Sequence, residues 1–237
     1  MISKKIINFM VVSYLKLYKF VLFDNRCIFC DYFSLDSICS TCFEDLKQKM
    51  YLRKLPKEYF EKELEKVWFD NFYFLFSYSD FYKMLEISKF HNRLDVLVYV
   101  SRLISSIDEK IWNDVCKGVF NTKVFTFIPN HEKINNYLIS LLLANWLSKY
   151  NINIVNLFTV NSKKKRLQHL IKDRKERILN AKDKFILNCK NIQRLENSRI
   201  IIFDDVSTTG STLNEASKLI KEKIGNVRID CLVIAKA

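Results

Sequence analysis

An α/β fold, a parallel sheet flanked by helices with a small N-terminal helical and cysteine-bearing region, is what the sequence predicts. Three observations predict it. From residue 119 onward, short apolar runs alternate with helix-length stretches, the pattern of strands joined by helical crossovers. One of those runs, 199–203, leads into two adjacent carboxylates, a loop of small residues and a helix. Four cysteines gather within residues 27–42 in two pairs of equal spacing.

At 237 residues and 49% hydrophobic, the chain can bury a real core, and 27% charged residues is not a disordered composition. The formal net charge of +13 favours polyanionic partners such as nucleic acid or phosphorylated metabolites. Abundant Lys beside only 3 Gly and 2 Pro also fits an AT-rich coding sequence, so the position of charge says more than its total. Seven Cys, an odd number, make a poor disulfide framework and suit a reducing cytoplasm.

Taken in order, residues 6–23 are apolar enough to resemble a signal peptide. Lys16 and Lys19 interrupt the run, however, no small-residue cleavage site follows, and the stretch is short for a bilayer. The pattern predicts an amphipathic helix packed on its own protein through Tyr14, Leu15, Tyr18 and Val21, with no membrane span. Residues 58–67 and 81–107 read as helical, and the aromatic stretch 68–78 as extended. Residues 124–128 read as a strand stopped by Pro129, 137–150 as a helix, 152–160 as a strand, 199–203 as a buried strand, 212–223 as a helix closed by Gly225, and 227–234 as a further strand. The organisation expected is 1–70 for the N-terminal helix and cysteine region, 71–118 for a helical connector or hood, and 119–237 for the sheet domain.

In open α/β sheets, ligands sit at the carboxyl ends of strands. There the sequence places Asp204, Asp205, Val206, Ser207, Thr208, Thr209, Gly210, Ser211 and Thr212. A loop of this composition offers closely spaced backbone N–H groups and hydroxyls, and the helix behind it favours an anion. Gly210 lets the backbone fold tightly. The carboxylates suit sugar hydroxyls or a hard cation held through waters. Together they describe a sugar phosphate with its metal. The bland alternative is a strand–turn–helix junction in which Asp205 begins a turn and Thr212 caps the helix.

Cys27 and Cys30, then Cys39 and Cys42, form two CxxC pairs eight residues apart. Four thiolates leave no open position, so a zinc ion there would be structural. Residues 161–184 hold ten Lys/Arg against three acids, contributing +7 of the +13. Such a segment suits a loop closing over pyrophosphate, a track for a DNA backbone, or a solvated surface.

The run 200–212 closely resembles the phosphoribosyl pyrophosphate motif of type I phosphoribosyltransferases: apolar run, Asp-Asp, apolar, two residues, Thr-Gly, small, Thr. The resemblance implies a type I phosphoribosyltransferase-like sheet. It implies Asp204 and Asp205 on the ribose 2′- and 3′-hydroxyls with Mg²⁺ nearby, and Thr208, Thr209, Gly210, Ser211 and Thr212 around the 5′-phosphate. Hypoxanthine-guanine members carry a carboxylate where this chain has Thr208, which disfavours purine salvage.

Joined to a Cys₄ knuckle, that motif resembles the ComF family of bacterial competence proteins, of the ComFC type. The segment 78–83 with 87–91, the residues Gln168, Arg177, Asn180 and Phe185, and the Phe127-Ile128-Pro129 turn at the family's pyrophosphate loop all agree with it. The chain departs at 135–139, which lacks the arginine and glycine of the family's Arg-Gly-Phe-Asn-Gln; the resemblance then moves phosphate handling to Lys89, Arg174 or Arg177. What it implies is binding of phosphoribosyl pyrophosphate or another ribose phosphate with Mg²⁺, and a cytoplasmic part in DNA uptake beside single-stranded DNA and a competence helicase. If the chain is an enzyme, pyrophosphate leaves the ribose C1, with Lys89 and Arg177 beside the two aspartates as candidate catalytic residues. The alternative is a non-catalytic module for single-stranded DNA or a competence partner on the same scaffold. A third option is a glutamine-free amidophosphoribosyl-type enzyme of purine synthesis; glutamine hydrolysis itself has no support, because residue 2 is Ile, not a nucleophilic Cys.

Overall fold

The computed structural model describes residues 10, 13, 14, 17, 21, 25–90, 93, 95–107, 122–129, 135–161, 181–188, 192 and 194–237, without the side chains of 85, 88–90 and 135–137. Its elements run α1 (Ser40–Lys49), β1 (Arg53–Leu55), α2 (Glu58–Glu61), β2 (Asn71–Ser77), α3 (Tyr78–Phe90), α4 (Val96–Ser105), β3 (Lys123–Phe127), α5 (Asn135–Lys149), β4 (Ile152–Ile154), β5 (Phe158–Val160), β6 (Phe185–Leu187), β7 (Arg199–Ser207), α6 (Ser211–Lys223) and β8 (Arg228–Lys236).

Six strands form one sheet in the order β1-β2-β8-β7-β3-β4, parallel throughout except for β1, which pairs antiparallel with β2. The predicted α/β class, mostly parallel and flanked by helices, is therefore what the chain adopts. Burial explains why β7 sits in the middle. Side chains alternate across a strand, so Ile200 and Ile202 enter one core with α6, β5 and β6, while Ile201 and Phe203 enter the other with α4 and α5. An all-apolar run satisfies both faces at once. β2 lies ahead of residue 119, where the sequence reading began the sheet domain, yet it joins the same sheet beside β8.

Several expectations are corrected. The helix expected at 58–67 stops at Glu61. Beyond it, Asn214 takes the Trp68 N–H (2.7 Å) and donates to the Lys66 carbonyl (2.8 Å), which satisfies these backbone groups outside a helix. The strand expected at 152–160 is two strands in different sheets: Val155 N–H still bonds Phe125 O (3.0 Å), and then the chain leaves to pair β5 with β6. β7 runs through both aspartates to Ser207. Helix α6 ends on Ile224 in an extended conformation, and Gly225 does not take the left-handed form expected of it. Tyr14 and Val21 are helical but exposed, as are Met10 and Leu17, so at these residues the N-terminal helix does not pack on the protein as predicted. No helix of the described residues is long and apolar enough to cross a membrane.

Candidate functional site

The sheet topology selects one crevice. From β3 the chain crosses by α5 to β4 on one side; from β7 it crosses by α6 to β8 on the other. The two crossovers part at the carboxyl ends of β3 and β7, where open α/β sheets leave room for a ligand. Asp204 and Asp205 lie near the carboxyl end of β7 there, and the turn after β3 is tied beside them through Ile128 N–H to Phe203 O (2.9 Å), followed by Pro129.

The aspartates are held locally. Asp205 N–H donates to Asp204 Oδ1 (2.9 Å) and Val206 N–H to Asp205 Oδ1 (2.7 Å), which fixes both side chains against the strand end. Asp204 is buried and Asp205 half-buried. Lys184, just before β6, lies in their field: burial pushes its ammonium below the usual lysine range, and Asp204 and Asp205 both pull it back upward.

Gly210 sits at the start of α6 with φ 78°, a left-handed residue and not a side-chain cap, which sets aside the capping role for Thr212. Thr209 Oγ1 donates to Ser211 Oγ (2.9 Å) and accepts from Ser211 N–H (3.3 Å), tightening the turn, while Asn214 N–H on Gly210 O (2.9 Å) starts the helix. The 207–211 turn therefore lies directly on a helix N-terminus, where backbone N–H groups lack intrahelical partners. Lys236 Nζ donates to Thr208 O (2.7 Å) from behind. Thus Asp204, Asp205, Ser207, Thr208, Thr209, Gly210, Ser211 and Thr212 come together at one strand end. Lys89 lies in α3 with its side chain outside the described residues, and Gln168, Arg174, Arg177 and Asn180 fall wholly outside them.

Sequence reasoning counted Lys184 only as one charge of the basic segment 161–184, and missed Lys236 and the Tyr59-Phe60 pair beneath the loop. Lys236 carried one usable signal, since it ends the apolar run that must neighbour 200–203. Phe60 carried none.

The cysteines form a second centre. The Sγ atoms of Cys27, Cys30, Cys39 and Cys42 all lie within 4.8 Å of one another, and Cys30 and Cys39 are 3.7 Å apart. Four thiolates on one zinc at about 2.3 Å would stand roughly 3.8 Å from each other, so the donor set fits a closed tetrahedral ion. Burial raises the Cys27 thiol, but the backbone amides of Cys30, Cys39 and Phe29 outweigh it and bring its pKa to about 6, the direction a metal ligand needs. Burial and the neighbouring thiols push Cys42 up. The knuckle docks on the body through Asp95, which takes Arg93 Nε and Nη2 (2.9 and 2.7 Å) and the Ser37 hydroxyl, and through Lys83 Nζ on Phe29 O (3.2 Å).

Comparison with known proteins bears out the resemblance drawn above. The chain is 36% identical over 104 residues to Competence protein F of Haemophilus influenzae, covering 42% of this chain and 41% of that one, so it spans about two fifths of the relative's length. No family model matches. Two solved phosphoribosyltransferase structures overlap it loosely. A glutamic acid mutant made to probe an invariant aspartic acid of the hypoxanthine enzymes has TM-score 0.34 at 12% identity, covering 60% of this chain and 74% of that one. The hypoxanthine phosphoribosyltransferase of Trypanosoma cruzi has TM-score 0.35 at 13% identity, covering 60% and 71%.

Proposed function

We propose that the chain is a ComF-type protein that binds phosphoribosyl pyrophosphate with Mg²⁺ and serves DNA uptake in the cytoplasm. The observation that carries the reading is the meeting of Asp204 and Asp205 with a left-handed Gly210 and a helix N-terminus, at the point where the crossovers part. Asp204 and Asp205 accept hydrogen bonds from the ribose hydroxyls. The amides and hydroxyls of Ser207, Thr208, Thr209, Gly210, Ser211 and Thr212 surround the 5′-phosphate. Mg²⁺ keeps most of its waters and needs only one or two carboxylates beside substrate oxygens, which this pair supplies; when bound it offsets charge on the pyrophosphate. Lys89, Arg177 and the basic segment 161–184 are the candidates for the leaving pyrophosphate, where positioning and charge would do the catalysis. Zinc on the four cysteines is structural.

The second reading is a non-catalytic holder of single-stranded DNA. The knuckle favours it by presenting Tyr32 and Phe33 exposed beside Arg26, surfaces on which bases stack.

Calorimetric titration of the zinc-loaded protein with phosphoribosyl pyrophosphate tests the first reading. Saturable binding that needs Mg²⁺ and is lost in the Asp204→Asn/Asp205→Asn variant is the expected result. No binding at millimolar ligand, with salt-sensitive binding of single-stranded DNA, would replace it with the second.

A further inference from the structure

We propose that Lys236 is a positioning residue of the ribose-phosphate site: from behind, it holds the 207–211 loop in the form that turns its amides toward an anion. The inference rests on the reading of that loop as the phosphate site.

β7 and β8 stay paired to their last residues, with Ser207 opposite Lys236 and Ala237 N–H on Ser207 O (3.0 Å). This register sets the Lys236 side chain at the back of the loop. Only 9% of the residue is exposed, an unusual placement for a lysine. Its ammonium donates to Thr208 O (2.7 Å) and to Ala237 O, and lies 5.3 Å from the centre of the Tyr59 ring.

A phosphate loop must point N–H groups inward, so its carbonyls must find donors on the outer side. Thr208 finds that donor in Lys236. A peptide flipped the other way would turn the Thr208 carbonyl oxygen toward the phosphate. The same ammonium adds a buried positive charge behind the amides. Phe60 packs against the loop two residues on: a Cβ on Gly210 would meet its ring at 2.9 Å, and that ring is held edge-on by Phe69 with centroids 5.0 Å apart.

Lys236→Met keeps the stem and removes the donor; Lys236→Arg restores a cation. Amide hydrogen exchange in the ligand-free protein reads the loop directly, and titration with phosphoribosyl pyrophosphate and Mg²⁺ reads the site. Exchange at 207–212 should rise about tenfold in the Met variant while the rest of the sheet is unchanged, as expected for one lost charge-assisted bond. Affinity should fall by about the same factor, and the Arg variant should recover most of both. Exchange equal to wild type in the Met variant overturns the proposal. So does a rise spread evenly over β7 and β8, which would make Lys236 a stability residue alone. A wild-type protein that binds no phosphoribosyl pyrophosphate would sink the ligand assignment, while exchange still decides whether the brace exists.

Discussion

At the amino end of the parallel sheet, charge is matched against charge. Arg199 and Asp230 lie almost fully buried as a pair, with Asn71 donating to the other oxygen of Asp230 at 2.5 Å, and Asp70 takes both Lys221 Nζ and the Ile229 amide. At the carboxyl end, Asp204 and Asp205 bond the amides of the following residues and face a half-buried Lys184, and the loop beyond them is shaped by a left-handed glycine and a buried lysine. The same strands therefore end in two different chemistries. Charges that satisfy one another hold strands in register. Carboxylates fixed by their own backbone are held in place at the strand end instead.

Breaking the first end should have the largest effect. Asp230→Ala leaves the Arg199 guanidinium buried without its carboxylate, and stability measured by urea denaturation should fall by about 3–5 kcal/mol. Any protein that remains folded should keep its affinity for phosphoribosyl pyrophosphate. At the other end, Gly210→Ala must place a methyl at φ 78° against a Phe60 ring packed too tightly to retreat, for a loss of about 1–3 kcal/mol. Unlike Asp230→Ala, it should weaken ligand binding in the folded protein, and titration of the variant checks this. Smallest of all, Asp204→Asn/Asp205→Asn should change stability by about 1 kcal/mol or less, because the near-isosteric amides keep an oxygen for the Asp205 and Val206 amides. A loss from this variant comparable to Asp230→Ala would erase the distinction between the two ends.

What was legible in the sequence follows the same division. The run 200–212 could be read because everything it needs is contiguous: an apolar strand, its carboxylates and a left-handed glycine. The cysteine pairs were legible for the same reason. The stretch after helix α2 was misread because what holds it, Asn214, donates to the Lys66 carbonyl from 148 positions away. β1 and β6 are three-residue strands, too short for alternation to register. Lys236 and Phe60 act on the loop through pairing and packing that no local pattern announces. The parts of the site contributed by Lys89, Arg174 and Arg177 remain sequence expectations, since those side chains fall outside the described residues.

The neighbour of β2 is β8, and Asn71 bonds Asp230 across 159 positions of chain. A ribosome adding about 5–20 residues per second would leave β2 waiting on the order of ten seconds for that partner. In the interval Phe72, Phe74 and Phe76, all buried in the finished molecule, have the short antiparallel β1 as their strand partner and only near neighbours in the chain, Phe60, Phe69 and Phe81, packed on their rings. Long-range parallel pairing is slow to form and leaves unpaired apolar edges open to other chains. Yield of this protein should accordingly be governed less by its final stability than by what shields a single aromatic strand while the C-terminal half is still being made.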